Sequence, residues 1–191
     1  MAHEYKIAVV PGDGIGHEIV PAGIKVLQAA GKRFGFGLSL QEFPYGAGYY
    51  QKTGSFMPSD ALDTLSQFDA IYFGAVGLPE VDDTLPAKLF TFTVRTHFNQ
   101  YVNYRPARLL PGIESPLRHK TAQDIDFVVI RENTEGEFVQ VGGFVQPDEP
   151  SGFAMDTSVF TRTGIERIAH YAFQLAQRRR GQVTNIKNPI R

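Results

Sequence analysis

The stretch that most constrains this chain is Tyr5 to Gly16, Y-K-I-A-V-V-P-G-D-G-I-G, together with the apolar run from Glu18 to Ala30 that follows it. Apolar side chains on the consecutive positions Ile7 to Val10 predict a strand buried on both faces, which an α/β sheet with flanking helices provides. The glycines of Pro11 to Gly16 permit a tight turn in which backbone lies close to whatever sits above it. The next run has a helical period, and Gly31 and Gly35 close it with Lys32 and Arg33 at its negative end. Strand, glycine-rich loop and helix bring backbone amides and a positive helix end to one point, which suits a phosphate or a carboxylate. The spacing departs from a dinucleotide fingerprint. The last two glycines are one residue closer than in G-x-G-x-x-G, and no acid follows at the expected place on a second strand, so a plain βα turn is the alternative.

The alternation then continues. Gly37 to Phe43 reads as a more exposed strand, Pro44 to Gly54 as a loop rich in turn formers and aromatics, and Pro58 to Phe68 as a helix opened by Pro58, Ser59 and Asp60. Asp69 to Gly77 reads as another buried strand, and strands alternating with helices imply a parallel sheet. Gly74, Ala75, Val76 and Gly77 then fall at a strand's carboxyl end near P-G-D-G-I-G, where open α/β sheets bind ligands; small residues for a tight exit turn are the alternative. A partial stripe of Leu85, Leu89, Phe92 and Phe98 predicts a helix with Arg95 near its end. Tyr101 to Gly112 is extended, because Pro106 holds Arg105 out of the α region.

Asp124 to Arg131 reads as a strand leading into I-R-E-N-T-E-G-E-F, Ile130 to Phe138. An arginine at the end of a buried strand, with a polar loop beyond it, can grip an anion from a rigid scaffold; a charged strand-to-turn junction with a structural ion pair is the alternative. Glu137 to Gln146 and Gly152 to Phe160 are strand-like runs separated by Pro147 to Pro150, predicting a hairpin or arm. Its exposed Phe and Val need a surface to cover them, and another subunit is the usual answer. T163-G-I-E166 reads as a capping box opening a helix with the apolar stripe Ile165, Ile168, Ala169, Ala172, Leu175 and Ala176. Arg178, Arg179 and Arg180 sit at its negative end and need no ligand. Gln182 to Arg191 starts as a strand and looks unfinished. The best boundary lies between Phe98 and Tyr101, dividing residues 1–99 from 100–191.

Composition narrows the function. A net charge of -1 with interspersed acids and bases gives no broad basic face, so nucleic acid is not an expected partner. No apolar run has the length of a membrane span and the N-terminus lacks the apolar segment of a signal peptide, which predicts a cytoplasmic protein. With zero cysteines, disulfides, thiolate metal sites and cysteine nucleophiles are excluded, and the five histidines show no metal-ligating spacing.

P-G-D-G-I-G after the first strand, V-R95 followed ten positions later by R105-P, and I-R131-E-N-T-E-G-E together resemble the metal-dependent β-decarboxylating dehydrogenases of isocitrate and 3-isopropylmalate. Y-V-N-Y-R-P-A-R-L-L-P-G-I-E-S-P-L, with D-I-D-F, V-G-G and S-V-F-T-R, is most similar to the tartrate and D-malate branch of that family. The likeness covers essentially the whole chain and about the N-terminal half of such a protein. It implies an isopropylmalate-dehydrogenase-like α/β fold: a mostly parallel sheet with flanking helices, plus part of a smaller α/β dimerisation domain with a β arm. Residues 1–99 would belong to the large dinucleotide-binding domain and 100–191 to the small substrate and dimerisation domain. Arg95, Arg105 and Arg131 match the family's substrate-carboxylate arginines, and a 2-hydroxy dicarboxylate needs the fixed bidentate donors that arginine supplies. Ile15 and the turn Gly74, Ala75, Val76 match positions near the nicotinamide. The resemblance implies hydride transfer from a carbinol carbon to NAD, with Mn²⁺ or Mg²⁺ supplying positive charge for decarboxylation. It also implies a homodimer whose partner lends a lysine.

Three departures stand out. The family's proton-relaying tyrosine corresponds to Phe138, which has no hydroxyl. Lys187 falls one residue early against the family's catalytic lysine, and a one-residue slip along a strand turns a side chain to the opposite face. The metal-binding aspartates belong to a part of the family sequence that has no counterpart in these 191 residues. The expectation is therefore a chain inactive by itself. The alternative is a truncated or split-gene module that binds a small dicarboxylate or a complementary chain.

Overall fold

The computed structural model describes residues 3–186. The chain divides into two compact units, Met1–His97 and Phe98–Arg191.

In the first unit β1 (Glu4–Gly12) runs between β2 (Gly37–Glu42) and β3 (Ala70–Ala75) in a three-stranded sheet of order β2-β1-β3. Both pairings are parallel, with Val9 opposite Glu42 and Tyr72, and Gly12 opposite Ala75. Parallel neighbours need crossover connections. Helix α1 (Gly16–Phe34) makes the first, and α2 (Ala47–Thr53) and α3 (Ala61–Leu65) lie within the second. Ala8, Val9 and Val10 are at most 1% exposed, and the core grows from them through Val20, Phe56 and Leu65. Each of the larger of these side chains contributes about 1.5–3 kcal/mol on burial. After β3 a π-helical turn, Pro86–Thr91, runs into α4 (Phe92–His97).

Two local expectations are corrected here. Helix α1 starts at Gly16, two residues before the apolar run, because the carbonyls of Asp13, Gly14 and Ile15 already accept its first amides. Residues 47–53, expected as loop, form α2, whose first amides find a carboxylate far away in sequence.

The second unit is built from two antiparallel pairs and one helix. β4 (Val102–Arg108) pairs with β5 (Asp126–Glu132), β6 (Gly136–Val145) pairs with β7 (Phe153–Val159), and α5 (Arg162–Gln177) packs on β5. Among the described residues every buried apolar side chain lies in the first unit, whereas the second buries Asn133, Gly136 and Gly164. A polar network does much of the holding. Arg167 of α5 donates to the Glu132 carboxylate at 2.7 Å, the Thr134 hydroxyl at 2.6 Å and Asn99 at 3.0 Å, and its guanidinium lies 4.7 Å over the Tyr101 ring.

The helix start also differs from the expected capping box at Thr163 to Glu166. Thr161 is the N-cap, and its hydroxyl accepts from the Gly164 amide at 2.9 Å. The partner carboxylate of such a box, which normally comes from the third helical residue, comes instead from Glu135, which accepts from the Thr161 amide at 2.9 Å. Gly164 leaves the room, since a Cβ there would overlap the Glu135 carboxylate. Ile165, placed in the apolar stripe by sequence, is 55% exposed. At the other end Arg179 donates to Asp126 at 2.8 Å and holds that carboxyl below its ordinary range, while Arg180 donates to the Asp126 carbonyl. Gln182 to Ile186 form no strand, and Lys187 lies outside the described residues.

Among the described residues no helix is long and apolar enough to cross a membrane.

Candidate functional site

At the carboxyl ends of β1 and β3 the chain brings together P-G-D-G-I-G and the Gly74 to Gly77 turn. The Asp13 amide donates to the Ala75 carbonyl at 2.6 Å, and Gly74 packs so closely that a Cβ would overlap the Pro11 carbonyl. Gly12 has φ +74°, and a Cβ on it would run into the Ala75 carbonyl, so this crossing of the two strands needs both glycines. Ile15 opens α1 with its side chain 62% exposed, and Val76 lies beside Gly12. Ile15, Gly74, Ala75 and Val76 thus share one end of the sheet.

The residue that organises this end is Asp13, which the sequence showed only as one letter between glycines. It is 5% exposed, and its carboxylate accepts from the amides of Ala47 at 2.7 Å, Gly48 at 2.8 Å and Gly77 at 3.1 Å. A carboxylate at a helix's first turn satisfies amides that have no partner inside the helix. Of the two alternatives, an anion cradle and a plain βα turn, the hydrogen bonds match the plain turn. The amides of Gly16, His17 and Glu18 bond to carbonyls of their own turn, and the anion beside this turn is the protein's own carboxylate, directed at α2. The turn does not fit a dinucleotide's phosphates.

The second cluster lies on the β4–β5 pair. Asn103 stands opposite Arg131 and Arg105 opposite Val129, so with a period of two Asn103, Arg105, Val129 and Arg131 share one face. The other face carries Tyr104, Asp126, Ile130 and Glu132 toward α5, in keeping with the intermediate burial of Ile130 and Glu132 and the exposure of Phe127 and Val129. On the α5 side the guanidinium groups meet carboxylates: Arg108 and Arg179 pair with Asp126, and Arg167 with Glu132. On the opposite face they meet carboxamides. The Arg105 Nε donates to Asn103 Oδ1 at 2.8 Å, Asn103 Nδ2 donates to Asn133 Oδ1 at 3.2 Å, and Arg131 Nη2 donates to the same Asn133 Oδ1 at 3.3 Å. Asn133 is 5% exposed, and its own Nδ2 donates to the Gln100 carbonyl at 3.3 Å. The Phe138 ring lies 4.7 Å from the Arg131 guanidinium carbon, a cation–π contact that steadies the group without neutralising it.

Among the described residues neither Arg105 nor Arg131 forms a salt bridge, so their charge stays available to an external anion. Glu132, their neighbour in sequence, is engaged on the other side. Burial pushes its carboxyl up, but the amides of Thr134 and Glu135, the Thr134 hydroxyl and Arg167 outweigh that and hold it below the ordinary value of 4.5.

Arg95 belongs to the first unit, on α4, where its guanidinium lies 6.0 Å from the Phe92 ring. Sequence reasoning singled out the arginines and missed Asp13, Asn103 and Asn133. Asn103 could have been found by pairing the two strands, which puts it directly opposite Arg131. Among the described residues no group of three His, Asp or Glu side chains is arranged to hold a metal ion, so these residues do not fit Mn²⁺ or Mg²⁺.

Comparison with known proteins agrees with this architecture. The chain is 49% identical over 184 residues to the D-malate dehydrogenase (decarboxylating) of Escherichia coli strain K12, covering 94% of this chain and 50% of that protein. It is 45% identical over 180 residues to the tartrate dehydrogenase/decarboxylase of Pseudomonas putida, covering 93% and 49%. The crystal structure of isocitrate dehydrogenase from Methylococcus capsulatus superposes with a TM-score of 0.75 at 31% identity, over 92% of this chain and 48% of that one. The chain spans about half the length of the curated relatives it matches. The sequence pattern of the isocitrate/isopropylmalate dehydrogenases matches residues 6–189, and the chain belongs to that family.

Proposed function

We propose that Arg105 and Arg131 bind a carboxylate of a small 2-hydroxy dicarboxylate, tartrate or D-malate, and that the chain is part of an NAD-dependent β-decarboxylating dehydrogenase. The observation that carries this reading is two guanidinium groups on one sheet face that, among the described residues, meet neutral carboxamides and an aromatic ring, while arginines on the other face meet carboxylates. A dicarboxylate supplies the missing charge in the bidentate geometry that guanidinium groups favour. Arg95 enters through the family pattern alone, as a further substrate arginine. Ile15, exposed beside the Gly74 to Val76 turn, offers an apolar surface for a nicotinamide ring.

The 191 residues by themselves are proposed to bind without turning over. Phe138 has no hydroxyl to pass a proton, and the described residues supply no metal donor set. These same two features favour a second reading, a non-catalytic module that binds a dicarboxylate or a complementary chain. The proposed partner on the hairpin β6–β7 is a second copy of the chain, because Val141, Val145, Phe153 and Met155 share one exposed face there. A two-stranded hairpin is marginally stable at best in water by itself. Light scattering decides that point.

Calorimetric titration with meso-tartrate tests the binding reading. Arg131→Ala is expected to weaken binding by about tenfold or more, the scale of one lost charge-assisted contact. Equal affinity in both proteins, or none in either, removes the reading. NADH formation at ordinary enzyme rates from pure 191-residue chain with D-malate, NAD and Mn²⁺ would show that it is not inactive alone.

A further inference from the structure

The two arginines are held by something that sequence did not single out. We infer that Asn103 and Asn133 are positioning residues that fix the guanidinium groups of Arg105 and Arg131 on one face while leaving their positive charge unspent. This rests on the dicarboxylate reading and extends it to the residues that set the spacing.

Arginine carries five donors and no acceptor, so a fixed guanidinium needs acceptors, and on the α5 side of the second unit these include the carboxylates of Asp126 and Glu132. A carboxylate here would form an internal ion pair and compete with an anionic ligand. A carboxamide oxygen fixes the group without cancelling its charge. Asn103 and Asn133 form a continuous bridge, Arg105 Nε to Asn103 Oδ1, Asn103 Nδ2 to Asn133 Oδ1, and Arg131 Nη2 to Asn133 Oδ1. The bridge is anchored twice to the segment entering β4: Asn133 Nδ2 donates to the Gln100 carbonyl, and the Asn133 amide to the Tyr101 carbonyl at 2.9 Å. Burial of Asn133 gives its carboxamide little freedom to turn. Arg131 is held on a second side by the Phe138 ring, and its Nε is buried without an acceptor. The polar bridge therefore acts at the Nη2 edge alone, which leaves Nη1 for other partners. Binding to two groups already oriented avoids ordering costs that flexible arginines would incur.

The test uses the full 191-residue chain and the variants Asn103→Ala, Asn103→Asp and Asn133→Ala. Without ligand, the Nε–Hε resonances of Arg105 and Arg131 are followed by ¹H–¹⁵N NMR. In the wild type both are expected outside the envelope of solvent-exchanging arginines, one for its bond to Asn103 and the other for its burial. Asn103→Ala is expected to return the Arg105 signal to that envelope, while Asn103→Asp keeps it out because an acceptor remains. With meso-tartrate, Asn103→Ala is expected to bind about tenfold more weakly. Asn103→Asp is expected to lose on the order of a hundredfold, because it retains the bond and cancels the charge. Since Asn133→Ala risks the fold, the two variants at the less buried Asn103 carry the decision.

Unchanged Arg105 resonances in Asn103→Ala overturn the positioning role. So does wild-type tartrate affinity in a variant whose resonances have moved, or Asn103→Asp binding as well as Asn103→Ala. Failure of the wild-type chain to bind tartrate, with the resonances moving as expected, instead overturns the dicarboxylate reading and the functional part of this inference with it.

Discussion

Asp13 is the residue whose replacement discriminates most sharply between a ligand loop and an internal brace. Its carboxylate serves three amides from two segments, with Oδ2 taking Ala47 and Gly77 and Oδ1 taking Gly48. Asp13→Ala leaves all three without an acceptor. The costs are unequal, because Ala47 is buried, Gly48 is half-buried and Gly77 is exposed. An unsatisfied buried donor costs about 1–3 kcal/mol, whereas an exposed one turns to water. The sum is about 3 kcal/mol, most of it from Ala47 and Gly48. Asp13→Asn keeps one oxygen for the Ala47 and Gly77 pair but turns an NH₂ group toward the Gly48 amide, so about half that loss is expected. Two compact units need not unfold together, so a single global transition is a poor readout. Amide hydrogen exchange reads the effect locally. In Asp13→Ala the amides of Ala47, Gly48 and Gly77 are expected to exchange faster together, with Ala47 accelerated by about a hundredfold, while β4 and β5 keep their wild-type rates. Wild-type exchange at Ala47 and Gly48, or an Asn variant as stable as wild type, would refute the brace.

The second unit is expected to weaken in acid. The Glu132 carboxyl is more acidic in the folded chain than its ordinary value of 4.5, so the stability it contributes is complete above that value and is lost as the pH falls through the folded value. Hydrogen exchange of β5 between pH 6 and 3 should show this loss, and Glu132→Gln should flatten it; an equal slope in the variant refutes the assignment. On the hairpin β6–β7, Phe153→Asp puts a charge on the face shared with Val141, Val145 and Met155. The wild-type chain is expected to scatter light as a dimer and the variant as a monomer, and a monomeric wild type refutes a second copy as the partner.

Much of the architecture was legible because its signals are local. A strand buried on both faces shows itself as the consecutive apolar residues of Y-K-I-A-V-V, and the glycines at the β1 exit mark a crossing where no side chain fits. Helix α2 was not legible, because its first turn is satisfied by Asp13, more than thirty residues earlier. The same holds at α5, where Glu135 takes the place of the glutamate that a local capping box would carry, and where T163-G-I-E166 offered a plausible box two residues too late. Propensity and spacing register what neighbours along the chain do, and both of these caps come from elsewhere.

By itself, the sequence determined the parallel α/β character of the first unit, the extended segment carrying Arg105, the family, and the absence of a hydroxyl at Phe138. Only the tertiary structure decided which charges are spent. Arg105, Arg108, Arg131, Arg167 and Arg179 are equivalent letters, yet strand register and the packing of α5 set three of them against carboxylates and two against carboxamides. An arginine's chemistry is fixed by its side chain, but its availability depends on which acceptor lies within about 3 Å, and that distance is set by the pairing of segments remote in sequence.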